Sequence, residues 1–226
     1  MLAEWEGRDM HAEAFDMAYG WSWHDAILRI AKGQADLNDL YMYYSHNEKE
    51  YPMEAYRMLF VSNHDKNSWN GTEFELFGEA LEAVIVFSAI SEGLPLLYNG
   101  QEAGNEKRLA FFDKDPIQWS PHPNGELYKS LFTLKHQNTA LWNGGWGARM
   151  LQVTNDAPLQ VFSFVRQNER DKVFAVFNFS PQPRTVTFRD GLHLGEYSDY
   201  FSGERVRFGA SARLEMKAWG WRVFVK

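Results

Sequence analysis

Cysteine is missing from all 226 residues. Its absence excludes a disulfide framework, a thiolate metal site and a cysteine nucleophile, and leaves the compartment open. Basic residues are the minority charge: 23 Lys and Arg against 30 Asp and Glu give a formal net charge of −7. With no Lys/Arg stripe to neutralise phosphates, the reading is no nucleic-acid partner. Long apolar runs are also missing. The longest, Ala83 to Ile90, runs into Ser91-Glu92-Gly93 and falls well short of the roughly 20 residues that cross a bilayer, so no membrane span is expected. Met1-Leu2-Ala3 leads directly into Glu4, Glu6, Arg8 and Asp9, without the basic and apolar regions of a signal peptide. No repeat of fixed period and no low-complexity segment is present.

Aromatic residues, by contrast, are plentiful: 17 Phe, 10 Tyr and 9 Trp. Most such rings build core, but apolar faces with polar tips also suit sugar binding. In the first part of the chain, short apolar runs alternate with helical patterns, as in an α/β unit. Strands are predicted over 15–19, 56–61 and 94–98, and helices over 24–32, 79–91 and 126–141, with Gly33 and Gly93 as stops. From Trp142 the helical pattern disappears. Strands are predicted at 148–154, 159–166, 173–179, 184–188, 204–208 and 212–225, with Asn168-Glu169-Arg170-Asp171 as a polar hairpin loop. That texture predicts an antiparallel β-sandwich over 142–226 following an α/β domain over 1–141.

The segment Phe60-Val61-Ser62-Asn63-His64-Asp65 carries the most chemistry. An apolar run of this kind reads as a buried parallel strand, and the carboxyl end of such a strand is where α/β folds place their reactive groups. It also reads as a helix cap or Asx turn, since Asn and Asp favour both. Glu4 ends another short apolar run. Two carboxylates across a cleft suit glycoside hydrolysis, one donating a proton and the other opposing positive charge on the sugar. The alternative for Glu4 is a solvated residue in a frayed terminus.

Met1-Leu2-Ala3-Glu4-Trp5, Phe60-Val61-Ser62-Asn63-His64-Asp65 and Gly93-Leu94-Pro95-Leu96-Leu97-Tyr98-Asn99-Gly100-Gln101-Glu102 together resemble three successive motifs of the α-amylase family of glycoside hydrolases. Ala14-Phe15-Asp16-Met17, Leu109-Ala110-Phe111-Phe112, Ile117-Gln118-Trp119 and the all-β tail add to the likeness. The resemblance implies strands five to eight of a (β/α)8 barrel followed by the C-terminal sandwich. It makes Glu4 the general acid/base and Asp65 the carboxylate that stabilises the transition state. His64 and Asn63 would bind the sugar, and Trp5, Tyr19 and Trp21 would stack on its rings. Glu102 would organise the barrel rim.

One part of the family pattern is missing. Members carry a nucleophilic Asp two residues after an Arg on strand four, and an Asp-x-x-x-Asn-His motif on strand three, both upstream of the position Glu4 occupies. A lookalike, Arg189-Asp190, lies in the sandwich, and its two residues are adjacent, so on a strand they face opposite ways. A whole barrel of this type needs ~250 residues, and four strands leave unpaired edges that invite pairing with a missing barrel half or self-association. The resemblance therefore implies the C-terminal part of a longer retaining enzyme, inactive alone, acting on an α-glucan or maltooligosaccharide. The complete enzyme would form a covalent glycosyl intermediate between carboxyls ~5–5.5 Å apart. The competing readings are a non-catalytic carbohydrate-binding or assembly module and one half of a split enzyme. No cofactor and no metal site are expected from this chain: Glu48–Glu50 and Asp113/Asp115 read as solvated charges, and a structural calcium is left to the full-length protein.

Overall fold

The computed structural model describes residues 1–226. Four short strands, β1 (Leu2–Ala3), β2 (Met17–Tyr19), β3 (Tyr56–Phe60) and β4 (Leu94–Leu96), form a parallel sheet in the order β1-β2-β3-β4. Register aligns Ala3 with Ala18, Tyr19 with Met58 and Phe60 with Leu96, so all four carboxyl ends lie along one edge. The crossovers carry α1 (Trp21–Ala31), α2 (Asn38–Glu50), α3 (Glu73–Phe77) and α4 (Leu81–Ile90), and α5 (Pro123–Gln137) follows β4.

Side chains alternate across β3. Met58 and Phe60 pack with Tyr19 on the inner face, while Leu59 and Val61 join the helices on the outer face. Helix α4 is buried along its length except at Glu82, which is the mark of a helix with neighbours all round rather than an amphipathic surface helix. Gly93 (φ +156°) introduces β4, and a Cβ there would sit 2.5 Å from the Leu59 side chain.

The second region contains β5 (Met150–Gln152), β6 (Val161–Gln167), β7 (Lys172–Asn178), β8 (Arg184–Thr187), β9 (Gly195–Asp199), β10 (Arg205–Phe208), β11 (Arg213–Met216) and β12 (Trp221–Val225). A six-stranded antiparallel sheet runs β10-β9-β12-β7-β6-β5, and β8 pairs with β11 against it. The Asn168–Asp171 loop closes the β6–β7 hairpin, the Asn168 carbonyl oxygen of the side chain accepting from the Arg170 and Asp171 amides. Altogether this is a partial (β/α)8 barrel followed by an antiparallel β-sandwich.

Several elements depart from expectation, the unpredicted short helix α3 among them. The predicted strand 212–225 is two strands, broken at Trp219 (φ 51°) in a turn closed by the Gly220 amide on the Lys217 carbonyl. Strand β9 escaped detection because Gly195-Glu196-Tyr197-Ser198-Asp199 is mostly polar, and only Tyr197 and Asp199 are buried. Helix α2 was hidden by its composition, since only Leu40 and Tyr43 among its 13 residues are buried. The change at Trp142 is also not a break in packing. One hydrophobic core takes Trp23, Ile27 and Phe87 from the first region together with Phe162, Phe164 and Phe177 from the second.

Candidate active site

Glu4 leaves β1, and His64 and Asp65 leave β3 two strands away, yet the three meet above the sheet. His64 Nε2 lies 2.9 Å from Glu4 Oε1 and 3.7 Å from Asp65 Oδ1. Their ligating atoms all fall within 4.8 Å of one another. That spacing would hold either one small cation or neighbouring hydroxyls of a single sugar ring. The site is open: Glu4's side chain is 56% exposed and His64's 38%.

Tyr19, on β2 between them, supplies the floor. It stacks on Trp21 at 5.4 Å and meets Phe60 edge-on at 5.6 Å. Burial, followed by the charges of Glu4 and Asp65, raises its phenol pKa above the ordinary value. Tyr19 is itself almost wholly buried, so it packs beneath the site and presents little ring face, whereas Trp21 is half-buried with Lys66 Nζ 5.6 Å above its ring. Trp5 stands exposed beside Glu4.

Asn63 has a different place from the sugar-binding one implied by the resemblance. Its side chain is fully buried, and its oxygen accepts from the Lys66 amide at 2.8 Å, capping the turn that follows. Asn favours that local bond wherever a strand turns into a helix, so the capping reading describes Asn63 while His64 and Asp65 project outward.

Several supporting residues were not picked out from the sequence. Glu6 accepts from the Ser22 amide and hydroxyl, both at 2.7 Å, and from the buried Arg57 guanidinium, tying the ends of β1, β2 and β3 together. The spacing Glu4-x-Glu6 was the available signal. His24 lies flat on Phe60 at 4.9 Å behind the site, and burial lowers its pKa. Phe111, from the segment after β4, brings its ring to 5.8 Å from that of His64. Glu102 accepts from the Gly100 amide at 2.9 Å, a bond within its own turn. Arg189 and Asp190 lie in the sandwich, where Asp190 accepts from the Thr154 and Leu192 amides.

A parallel α/β sheet thus gathers acid, imidazole and carboxylate at its carboxyl edge and is joined to an antiparallel sandwich. Residues 152–222 match the alpha amylase C-terminal all-beta domain. Alpha-amylase MalA of Haloarcula japonica is 29% identical over 201 residues, covering 87% of this chain and 28% of that protein. A 1,4-alpha-glucan branching enzyme, GlgB 2 of Clostridium perfringens, is 22% identical over 235 residues, covering 93% and 35%. The alpha-amylase from Geobacillus thermoleovorans, solved in complex with acarbose, shares the fold with a TM-score of 0.80 at 15% identity, covering 99% of this chain and 52% of that one. The chain is thus related to the α-amylase family of glycoside hydrolases and carries the family's C-terminal all-beta domain. It spans about a third of the length of the curated relatives it matches.

Proposed function

We propose that these residues supply the acid/base and charge-stabilising side of a retaining glycosidase site for α-glucans. The convergence of Glu4, His64 and Asp65 from two strands onto one point of the barrel edge carries the reading. In it, Glu4 as the acid gives its proton to the departing glycosidic oxygen. As the carboxylate it then takes a proton from the incoming acceptor. Asp65 accepts hydrogen bonds from sugar hydroxyls and opposes the positive charge that develops at the anomeric carbon. His64 donates from Nε2, exchanging its Glu4 partner for a sugar hydroxyl when substrate enters. In this reading the acceptor is water for hydrolysis and a sugar hydroxyl for glucan transfer.

Among these 226 residues no strand carries the Arg-x-Asp pair from which the family draws its nucleophile, so the reading gives the chain by itself no glycosidase turnover. Pure chain incubated with maltoheptaose should release no reducing ends above the rate of buffer alone. Turnover that disappears in Glu4→Gln would overturn this. Calorimetric titration with maltose tests the remainder: Asp65→Asn and His64→Ala should weaken binding, and affinities indifferent to both would point instead to a carbohydrate-binding module that works elsewhere on the surface.

A further inference from the structure

Packing does not account for the imidazole behind the site. His24 is fully buried, and neither of its ring nitrogens has a hydrogen-bond partner in ordinary geometry. Buried polar atoms in native folds are nearly always partnered, and an apolar ring would fill the same space at less cost. A histidine held there points to a task.

Its placement begins at Gly20. The Gly20 amide donates to the Met58 carbonyl at 2.8 Å, and a Cβ there would lie 3.2 Å from that oxygen and 3.1 Å from the Leu59 side chain. Having no side chain, Gly20 lets the first turn of α1 close directly onto β3, and the His24 amide donates back to the Gly20 carbonyl at 3.1 Å. The imidazole then lies on Phe60 with an angle of 18° between the rings and meets Phe77 of α3 edge-on at 5.7 Å.

The ring edge meets both ends of the segment that bears the site. Nδ1 stands 3.5 Å from Asp25 Oδ1, and the imidazole also faces the Val61 carbonyl. Asp25 in turn accepts from the Lys66 ammonium at 3.2 Å, and the Lys66 amide is the donor that holds Asn63. His64 and Asp65 therefore lie between two holds, His24 at Val61 and Asp25 at Lys66. Burial is the largest influence on the His24 pKa and lowers it; Asp25 pulls the other way, and the Lys66 charge reinforces the burial. A neutral ring brings one N–H to the two acceptors without placing a full charge behind the site. We propose that His24 is a positioning residue: braced on Phe60 and acting with Asp25 on both ends of residues 61–66, it fixes the direction in which β3 releases His64 and Asp65. This rests on the reading of those two residues as part of the sugar site. Groups that lock a site's side chains from behind in this way decide whether its geometry is held or loose.

Two substitutions in the full chain separate positioning from packing. His24→Phe keeps the stack on Phe60 and removes both nitrogens, whereas His24→Gln keeps a polar donor and removes the stack. His24→Phe should leave the urea midpoint unchanged or higher, since no buried nitrogen is left without a partner. It should nonetheless weaken maltose in calorimetric titration about tenfold, the lower end of what orienting groups are worth at metal sites. It should also move the NMR signal of His64 Nε2, which reports the 2.9 Å contact with Glu4. His24→Gln should lose stability and keep most of the maltose affinity. Asp25→Asn alters a side chain that is 61% exposed, where folding is not at stake. It should move the His64 signal as well and weaken maltose about threefold, the worth of an exposed ion pair. Wild-type affinity and an unmoved His64 signal in His24→Phe would overturn the proposal. So would a loss of binding that simply follows the loss of stability across both His24 variants, or an Asp25→Asn chain identical to wild type in both readouts. If the wild-type chain binds no maltose, or Asp65→Asn leaves maltose affinity intact, the sugar-site reading falls by itself. The His64 signal then decides the brace: movement in His24→Phe upholds it, and a fixed signal overturns it.

Discussion

Strand β7 sends Val173, Ala175 and Phe177 toward the helices of the first region, and Phe174 and Val176 toward β8 and β11. Both faces of the antiparallel sheet are thereby covered, and six consecutive residues of β7 are buried. The parallel sheet is covered less evenly, with Tyr19, Met58 and Phe60 buried on its inner face but their neighbours there only in part. Its outer face lies under α1 and α4, while Tyr56, Leu94 and Leu96 on the inner face remain half-buried, and a groove of about 640 Å³ lined by Met17, Tyr56, Leu94, Phe132, Trp142 and Trp146 runs along its lower end. What an apolar run reports is the number of covered faces. The site belongs to the less covered sheet, where an open inner face leaves room for a ligand.

The sharpest test of this asymmetry compares two core truncations. Phe87 of α4 meets Phe162, Phe164, Phe177 and Phe179 at centroid distances of 5.1 to 6.2 Å, bridging the regions. Phe87→Ala should cost about 3–5 kcal/mol in urea unfolding, whereas Leu96→Ala on the half-covered face should cost less than about 1 kcal/mol. Equal costs would break the comparison.

Slightly smaller is the effect expected at Arg166, which is buried where the regions meet. Its guanidinium donates to the Ala148 and Ser91 carbonyls at 2.9 Å, to Trp142 at 2.7 Å and to Leu141 at 3.3 Å. Arg166→Met would strand several buried acceptors, each worth about 1–3 kcal/mol when left unsatisfied, and water entering the gap would offset part of that. A net loss of about 3 kcal/mol by urea unfolding, with both regions still melting in one transition, would mark the two sheets as one cooperative unit.

The smallest effect lies at Glu73, buried in α3 with Gln101 and the Asn124 side chain as donors to its oxygens. Burial pushes its pKa up from 4.5 to about 7. The folded chain therefore holds a proton that the unfolded chain releases. The linked stability is full below about pH 4.5, falls as pH rises toward about 7, and stays reduced above it. Glu73→Gln should flatten that slope in melting temperatures measured between pH 5 and pH 8 and raise the alkaline end. A slope that survives the substitution would assign the dependence to other groups.

Much of the architecture was legible because its signals are local. Leu59-Phe60-Val61, the apolar stretch 81–90 and the β6–β7 hairpin declare their elements by runs and turn residues. Helix α2 and β9 were not, because their few buried residues sit among polar ones and owe their form to what they pack against. At the site, residue type identified Glu4, His64 and Asp65 as candidates but could not separate Asn63 from them. Only the backbone direction after β3 turns Asn63 inward to cap Lys66. Phe111 reads in the sequence as an ordinary aromatic, and its place beside His64 depends on contacts made by Asn67 across 40 and 42 residues of chain.

The sequence by itself determined the two textures, the strand ends that carry polar residues and the chemical inventory of the site, since each follows from periodicity or side-chain type within a few residues. The tertiary structure decided which of those groups meet. A carboxylate at position 4 and an imidazole at position 64 come within 2.9 Å only because β1 and β3 flank β2 in parallel register. Proximity across 60 residues is a property of the sheet, and no local pattern encodes it.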